Sequence, residues 1–348
     1  MAEPDILPVH ILQGMFEGRP NDLPPFELLQ RAVNAVFWSS LSKEEGRPSL
    51  ARLRFSEASD PACQLEAVEL SPASLRKLSP LLDASSQALL VDRSGKIVGI
   101  GTSGDIAVVA TRPGRLAILR SGVVLGVLEE GEWVIPGGNR INVVVELTRF
   151  MVGETRFERP FKAEILVNLA KRARDSARGA AFIVIPASSM GGIGTIQHRV
   201  SRYSALPATL AAWLTARENT PPPKIREQTS QMAKACFAVI SAGAGMDGAT
   251  IIDARTFRLL GFGAKVNASG TGGEVHLIDL PSSTESMVRV ENLGGMRHQS
   301  AARLVQTNRS AVVITVSQDG PVSLFAWDLT ASRVIQLKHL DCYFEDDH

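Results

Sequence analysis

The sequence predicts an α/β protein: a mixed sheet flanked by helices in the C-terminal part, preceded by a smaller α+β N-terminal domain. Three observations predict it. The 348 residues make about two domains at about 150 residues each. Short apolar runs bounded by Gly, Pro or charged residues fill the stretch from Ala88 to Pro136, as strands and turns do. From Arg159 onward, helical spacing and apolar runs alternate, and such alternation builds a sheet covered by helices.

Taken in order, Pro4, Pro8, Pro20, Pro24 and Pro25 predict an irregular lead-in. Leu28, Leu29, Ala32, Val33 and Val36 recur near 3.6 spacing and predict a helix over Phe26 to Leu41. Ser71-Pro72 reads as an N-cap with Pro at the first helical position, opening a short helix to Leu82. ALLVD and IVGIG from Ala88, IAVVAT, RLAILR, VVLGVL and EWVIP read as strands. INVVVEL, Ile141 to Leu147, reads as the last of them.

Ile165, Leu166, Leu169, Ala170 and Ala173 predict a helix over Arg159 to Arg178, with Gly179 as its C-cap. AAFIVIPA is a short, fully apolar strand. Ser188 to Pro223 reads as an insertion: a Gly-rich turn, a helix over Ala208 to Arg217, and a stiff exit at Pro221-Pro222-Pro223. An amphipathic helix over Lys224 to Ser241 follows. Strands are expected at Thr250 to Asp253, Thr256 to Phe262 and Glu274 to Leu280. A helix begins near Arg297, AVVITV, VSLFAWD and RVIQLKHL are strands, and EDDH is a frayed tail.

Composition excludes several classes. Lys plus Arg is 37 against 36 acids, a formal charge of +1, so there is no basic excess of the kind that holds nucleic acid. Hydrophobic residues at 45% and charged residues at 21% exclude wholesale disorder. Cys63, Cys236 and Cys342 are odd in number and far apart, which argues against a disulfide framework or a cysteine-rich zinc site. The acidic start and the lack of an apolar run near about 18 residues predict a cytoplasmic chain without a membrane span.

Gly243, Gly245 and Gly248 have G-x-G-x-x-G spacing, but a helix precedes and a strand follows them, the reverse of a dinucleotide site. Asp247-Gly248-Ala249 stands just before a strand. Alone, it reads as a turn Asp bonding its own backbone. Gly294-Gly295 leads into a helix with Arg297 and His298 in its first turn. Cations there oppose the helix dipole, whereas free N–H groups, a bidentate Arg and a His donor together suit phosphate. Ser317 follows an apolar strand, where a hydroxyl serves a phosphate or a plain turn. Glu274 with His276, and His198 with Arg199, are weak metal and phosphate candidates, and exposed strand residues are the plainer reading. His10 and His339 have no nameable partners. There is no G-x-S-x-G elbow and no G-x-x-x-x-G-K-[ST] loop.

The order M-D-G-A, strand, R-H-x-x-A on a helix, V-V-I-T-V-S-Q, then V-S-L-F resembles the diadenylate cyclase (DAC) domain. Its two motifs, DGA and RHR, fall here on Asp247-Gly248-Ala249 and Arg297-His298-Gln299. RHQSAARLVQTNRSAVVITVSQDGPVSLF is most similar to the DNA-integrity scanning branch. The likeness covers Phe161 to Asp328. It implies a sensor or regulatory domain over residues 1–150, a DAC-like domain over 158–335 with an insertion at about 188–223, and a tail over 336–348. It further implies condensation of two ATP into cyclic di-AMP and two pyrophosphates across a homodimer, or a higher assembly, of facing sites. Asp247 would hold Mg2+ or Mn2+ and position the 3′-hydroxyl, and Arg297 and His298 would neutralise the triphosphate. Gly248, Ala249, Gly295, Gln299 and Ser317 would contact substrate. The family's Thr and second Arg are Met296 and Gln299 here, which leaves a nucleotide-binding sensor without turnover as the alternative.

Overall fold

The structure is a computed structural model that describes residues 24–44, 47–56, 63–82, 87–121, 123–129, 131–134, 143–153, 158–176, 179–201, 206–209, 212, 223–245, 247–267, 272–318 and 320–344. The proline-rich lead-in with His10, most of the Ala208–Arg217 helix, Pro221, Pro222 and the EDDH end lie outside these residues. The chain divides into two compact units. The first holds residues 1–141, 280–283 and 341–348, and the second holds 142–279 and 284–340.

In the first unit, α1 (Phe26–Ser40) buries Leu28, Leu29, Ala32, Val33 and Val36, the face its spacing predicts. Ser39 and Ser40 donate to the carbonyls of Val36 and Phe37, satisfying the helix end locally. Two short strands pair as a hairpin, β1 (Lys43–Glu44) and β2 (Arg47–Pro48). An eight-stranded sheet follows, of β3 (Arg52–Phe55), β4 (Cys63–Glu69), β5 (Ala88–Val91), β6 (Lys96–Gly101), β7 (Ile106–Arg112), β8 (Arg115–Arg120), β9 (Val123–Glu129) and β10 (Glu132–Val134). Its spatial order is β10-β9-β8-β7-β3-β5-β6-β4. Only β3 and β5 run parallel, and every other pairing is antiparallel. Between β4 and β5, α2 (Pro72–Leu78) is capped by Ser71, whose hydroxyl accepts from Ser74 N–H at 3.1 Å. The core joins α1 to Leu53, Leu89, Val91, Val108, Leu116 and Ile118.

The second unit opens differently from its prediction. Val143–Thr148 is a helix, α3, where the three valines predict a strand. Val143 and Leu147, one turn apart, are buried, and α3 packs on the next helix. Packing overrides the β preference of valine. That next helix, α4 (Glu158–Asp175), leads to β11 (Ala180–Ile185), β12 (Ile193–Arg199), α5 (Pro223–Ala244), β13 (Ala249–Asp253), β14 (Leu259–Val266), β15 (Glu274–Asp279), β16 (Thr284–Arg289), α6 (Met296–Thr307), β17 (Val312–Val316), β18 (Val322–Asp328) and β19 (Arg333–Lys338). The nine strands order as β12-β14-β13-β11-β17-β18-β19-β15-β16. The predicted insertion thus contributes an edge strand, β12. β19 carries the sheet past residue 335, so the tail expected from 336 begins inside a strand.

Alternation along β11 divides the sheet faces. Ala181, Ile183 and Ile185 share a core with Ala301, Ala302, Leu304 and Val305 of α6, while Phe182 and Val184 bury into the opposite face, where α4 and α5 pack. Register then builds one edge. β11 is parallel to β13, with Phe182 beside Thr250, and antiparallel to β17, with Ala180 beside Val316. The starts of β11 and β13 therefore meet the end of β17.

Lys162 of α4 is buried and fully satisfied. It pairs with Glu158 at 2.6 Å and donates to the carbonyls of Val152, Ala254 and Arg255. No described helix is long and apolar enough to cross a membrane, and all three cysteines are free.

Candidate functional site

A cleft of about 610 Å³ opens at that edge of the second unit. Asp247, Gly248, Ala249, Gly295, Arg297, His298 and Ser317 all line it, although they come from three separate segments. Its floor is apolar, with Ala181, Ile183 and Val313 from β11 and β17.

Asp247 precedes β13 and is exposed. Among the described residues its carboxylate accepts no hydrogen bond, so the turn-capping role that its position also suits is not realised. Asp253, at the far end of the same strand, shows what that role looks like. It accepts from Ala187 N–H at 2.8 Å, Thr256 N–H at 2.9 Å and Thr256 Oγ1 at 2.5 Å. Burial raises the Asp253 carboxyl, but the bonds from Thr256, Ala187 and Arg255 outweigh it and hold the group below the ordinary carboxylate value.

Gly248 has φ +107°, and a Cβ there would stand 2.6 Å from the Gly263 carbonyl carbon. Backbone crowding by β14 by itself requires glycine here, and Gly248 also lines the cleft. Ala249 pairs with Ala264 and forms part of the cleft floor.

Opposite stands the start of α6. Gly295 is its N-cap, with no side-chain cap bond and no acid in the first turn. Its carbonyl accepts from His298 N–H at 3.0 Å and Gln299 N–H at 3.4 Å. Among the described residues, the N–H groups of Gly295, Met296 and Arg297 have no acceptor. A positive helix end with unused donors faces the cleft. Nothing lies within 4 Å of a Cβ built at Gly295, so this position is open space.

The Arg297 guanidinium lies against Gly179, where an added Cβ would strike it. This is what Gly179 does. The described part of α4 ends at Asp175, and the glycine does not serve as the predicted C-cap. Among the described residues Arg297 has no ion pair. His298 packs edge-on against Phe325 with ring centroids 5.7 Å apart. Ser317 uses its backbone in a turn, N–H to Pro321 O at 2.9 Å and carbonyl to Gly320 N–H at 3.1 Å. Its hydroxyl keeps no partner among the described residues.

Gln299 departs from its expected role. It does not line the cleft, and its amide nitrogen donates to the carbonyls of Glu291, Leu293 and Gly294 at 3.3, 3.3 and 3.4 Å. Helix phase is the reason: residues 297, 300 and 301 face the cleft, and 299 points to another side. The same phase adds Ser300, one turn from Arg297. Lys265, Thr315 and Gln318 also line the cleft and carry no motif signal. Lys265 and Gln318 are exposed, so two cations, Arg297 and Lys265, oppose one carboxylate.

The weaker candidates fall elsewhere. His276 pairs with Glu285 at 2.9 Å, and His339 sits 3.4 Å from Asp279. His198 and Arg199 are exposed on edge strand β12. Gly243 lies in α5 against the Phe262 ring, a packing role rather than dinucleotide binding.

Comparison with known proteins adds one finding. A family model described as "Probable sensor domain DACNV" matches residues 19–101, which run from the lead-in through α1 to β6 of the first unit. This supports the sensor reading of the N-terminal domain. The cleft residues lie outside the matched span. No curated protein matches the chain.

Proposed function

We propose that the second unit is a diadenylate cyclase domain that condenses two ATP into cyclic di-AMP and two pyrophosphates. The observation that carries this reading is the convergence of Asp247, Arg297 and Ser317 on one cleft beside the uncapped start of α6. Recognition of a triphosphate needs donors and positive charge, which among the described residues Arg297, the Ser317 hydroxyl and the first N–H groups of α6 leave unspent, and it needs a carboxylate for the hydroxyl and the metal, which Asp247 offers.

In each half-reaction the 3′-oxygen of one ATP bonds to the α-phosphorus of the other. The bond from that phosphorus to its bridging oxygen breaks, and pyrophosphate leaves with the electron pair. Asp247 orients the 3′-hydroxyl and receives its proton. Arg297 and the N–H groups of α6 neutralise charge on the phosphate oxygens, and the Ser317 hydroxyl donates to another. The apolar floor offers a surface against which a nucleotide can lie.

Asp247 also suits Mg2+ or Mn2+, because hard cations take one or two carboxylates and complete their shell with phosphate oxygens and water. When bound, such an ion polarises the phosphoryl oxygens and makes the hydroxyl more acidic. One cleft makes one bond, so ring closure requires two facing clefts in a homodimer or higher assembly. The first unit, similar to a sensor domain over 19–101, would regulate the reaction.

A second reading rests on two observations. Met296 is 72% exposed and supplies no hydroxyl, and Gln299 supplies no charge to the cleft. One missing charge-assisted bond costs about 1.5–3 kcal/mol, or about a tenfold to hundredfold slower reaction. On that reading the unit holds nucleotide and signals without turnover.

Incubation of the full chain with ATP and Mn2+, followed by mass spectrometry, separates the two. The cyclase reading expects cyclic di-AMP, reduced at least about a hundredfold in Asp247→Ala, the scale of a lost proton acceptor. ATP that raises the melting temperature without product supports the sensor reading. Neither product nor shift contradicts both.

A further inference from the structure

We infer that Gln299 is a positioning residue that fixes the anion-receiving first turn of α6 by clamping the segment leading into it. The inference rests on the cyclase reading only for the identity of the ligand. The clamp itself is independent of that reading.

The argument starts from helix phase. Positions 297, 300 and 301 face the cleft, while 299, 303 and 306 fall on a second stripe at i, i+4 and i+7. Each member of that stripe lies against the chain before α6, and Gln299 holds it by hydrogen bonds. The Gln299 amide reaches three carbonyls of the approach, those of Glu291, Leu293 and Gly294. Arg303 lies 4.0 Å from the Glu291 carboxylate. Gln306 lies against Gly273, where an added Cβ would strike its amide, and Gly273 accepts from Val290 N–H at 2.9 Å.

Of these three, Gln299 acts on the residues that matter. Gly294 is itself one of its carbonyl partners and Gly295 follows directly, and the two set the direction in which the N–H groups at the start of α6 point. Two glycines in sequence leave the backbone many conformations, and a helix end is useful to an anion only if its donors stay aimed. The Gln299 amide supplies the restraint that those glycines lack. Each bond is long, so the restraint comes from three acceptors sharing one donor group. A side chain at this position therefore need not touch the phosphates to affect how tightly they are held.

Gln299→Glu is the sharp test, because it keeps the shape and replaces the donor with a carboxylate facing three carbonyls. Of the charged groups on these segments, Arg303 and Glu291 are already paired with each other, and His298 and Arg297 face the cleft side. In the full chain, amide hydrogen exchange at Leu293 and His298, whose N–H groups bond within this segment, is expected to rise about tenfold or more, with the melting temperature lowered by a few degrees at most. ATP affinity, read by calorimetry, is expected to weaken about tenfold. Gln299→Arg, which keeps donors at the position, is expected to restore both.

Unchanged exchange in Gln299→Glu overturns the clamp. Faster exchange with unchanged ATP affinity overturns its positioning role. If the unsubstituted chain binds no ATP, the cyclase reading fails, and the calorimetry is repeated with inorganic triphosphate as the probe. Unaltered triphosphate affinity, or none in either protein, then overturns the positioning role, and weakened affinity in the variant supports it.

Discussion

Asp247 and Asp253 bracket one strand, β13, and differ in everything except residue type. Asp253 is buried at one end and accepts from Ala187 and Thr256. Asp247 is exposed at the other end, in a cleft, and accepts from none of the described residues. A carboxylate saturated by backbone donors is part of the fold. One left open beside a positive helix end and an Arg with no ion pair among the described residues is available to a ligand. The two ends of the sheet divide along the same line, since the closed end ties β11, β13 and the 253–257 turn together, and the open end leaves donors and acceptors unspent among the described residues.

Exchanging the readouts of the two acids tests this contrast most severely. Asp247→Ala is expected to abolish product formation while changing stability by less than about 0.5 kcal/mol, as surface substitutions do. Asp253→Ala is expected to cost about 2–4 kcal/mol, because it strands the donors of Ala187 and Thr256, while ATP affinity of the folded protein stays intact. The pH dependence has a definite sign. The folded-state value of Asp253 lies below its unfolded value, so its contribution is fully present above about pH 4. It is lost as pH falls through the folded value. The stability gap between the parent and Asp253→Ala, measured by denaturant melts, should therefore be constant at neutral pH and close in acid. A gap that widened in acid would contradict the assignment.

A smaller effect sharpens the same comparison at the open end. Gly179→Ala pushes on the Arg297 guanidinium, the far end of a flexible side chain. An off-rotamer arginine costs about 0.5–1.5 kcal/mol, so ATP affinity should fall about twofold to tenfold with little change in melting temperature. Unaltered affinity would show that Arg297 does not work from the pose it holds against Gly179.

These contrasts also show what one sequence reveals. Asp247, Arg297, His298 and Ser317 were legible because each stands next to a boundary of an element, and the boundaries read correctly. Lys265, Thr315 and Gln318 were not, since their place in the cleft follows from which strands pair. Gln299 was misplaced because adjacency to Arg297 in sequence is a rotation of about 200° over two helical positions. The α1 face, the Ser71 cap and most strands followed from spacing. Val143–Thr148 did not, because three valines favour a strand until Val143 and Leu147 find a helix to pack against. Gly179 looked like a helix stop, yet its role is set by an arginine more than a hundred residues away in the chain.

The most direct test of the central claim is a structure of the full chain with ATP and Mn2+, using the anomalous signal to locate the metal. The account predicts manganese at the Asp247 carboxylate, with phosphate oxygens meeting Arg297 and the N–H groups at the start of α6. Nucleotide bound away from this cleft, or manganese held by residues that exclude Asp247, would contradict it.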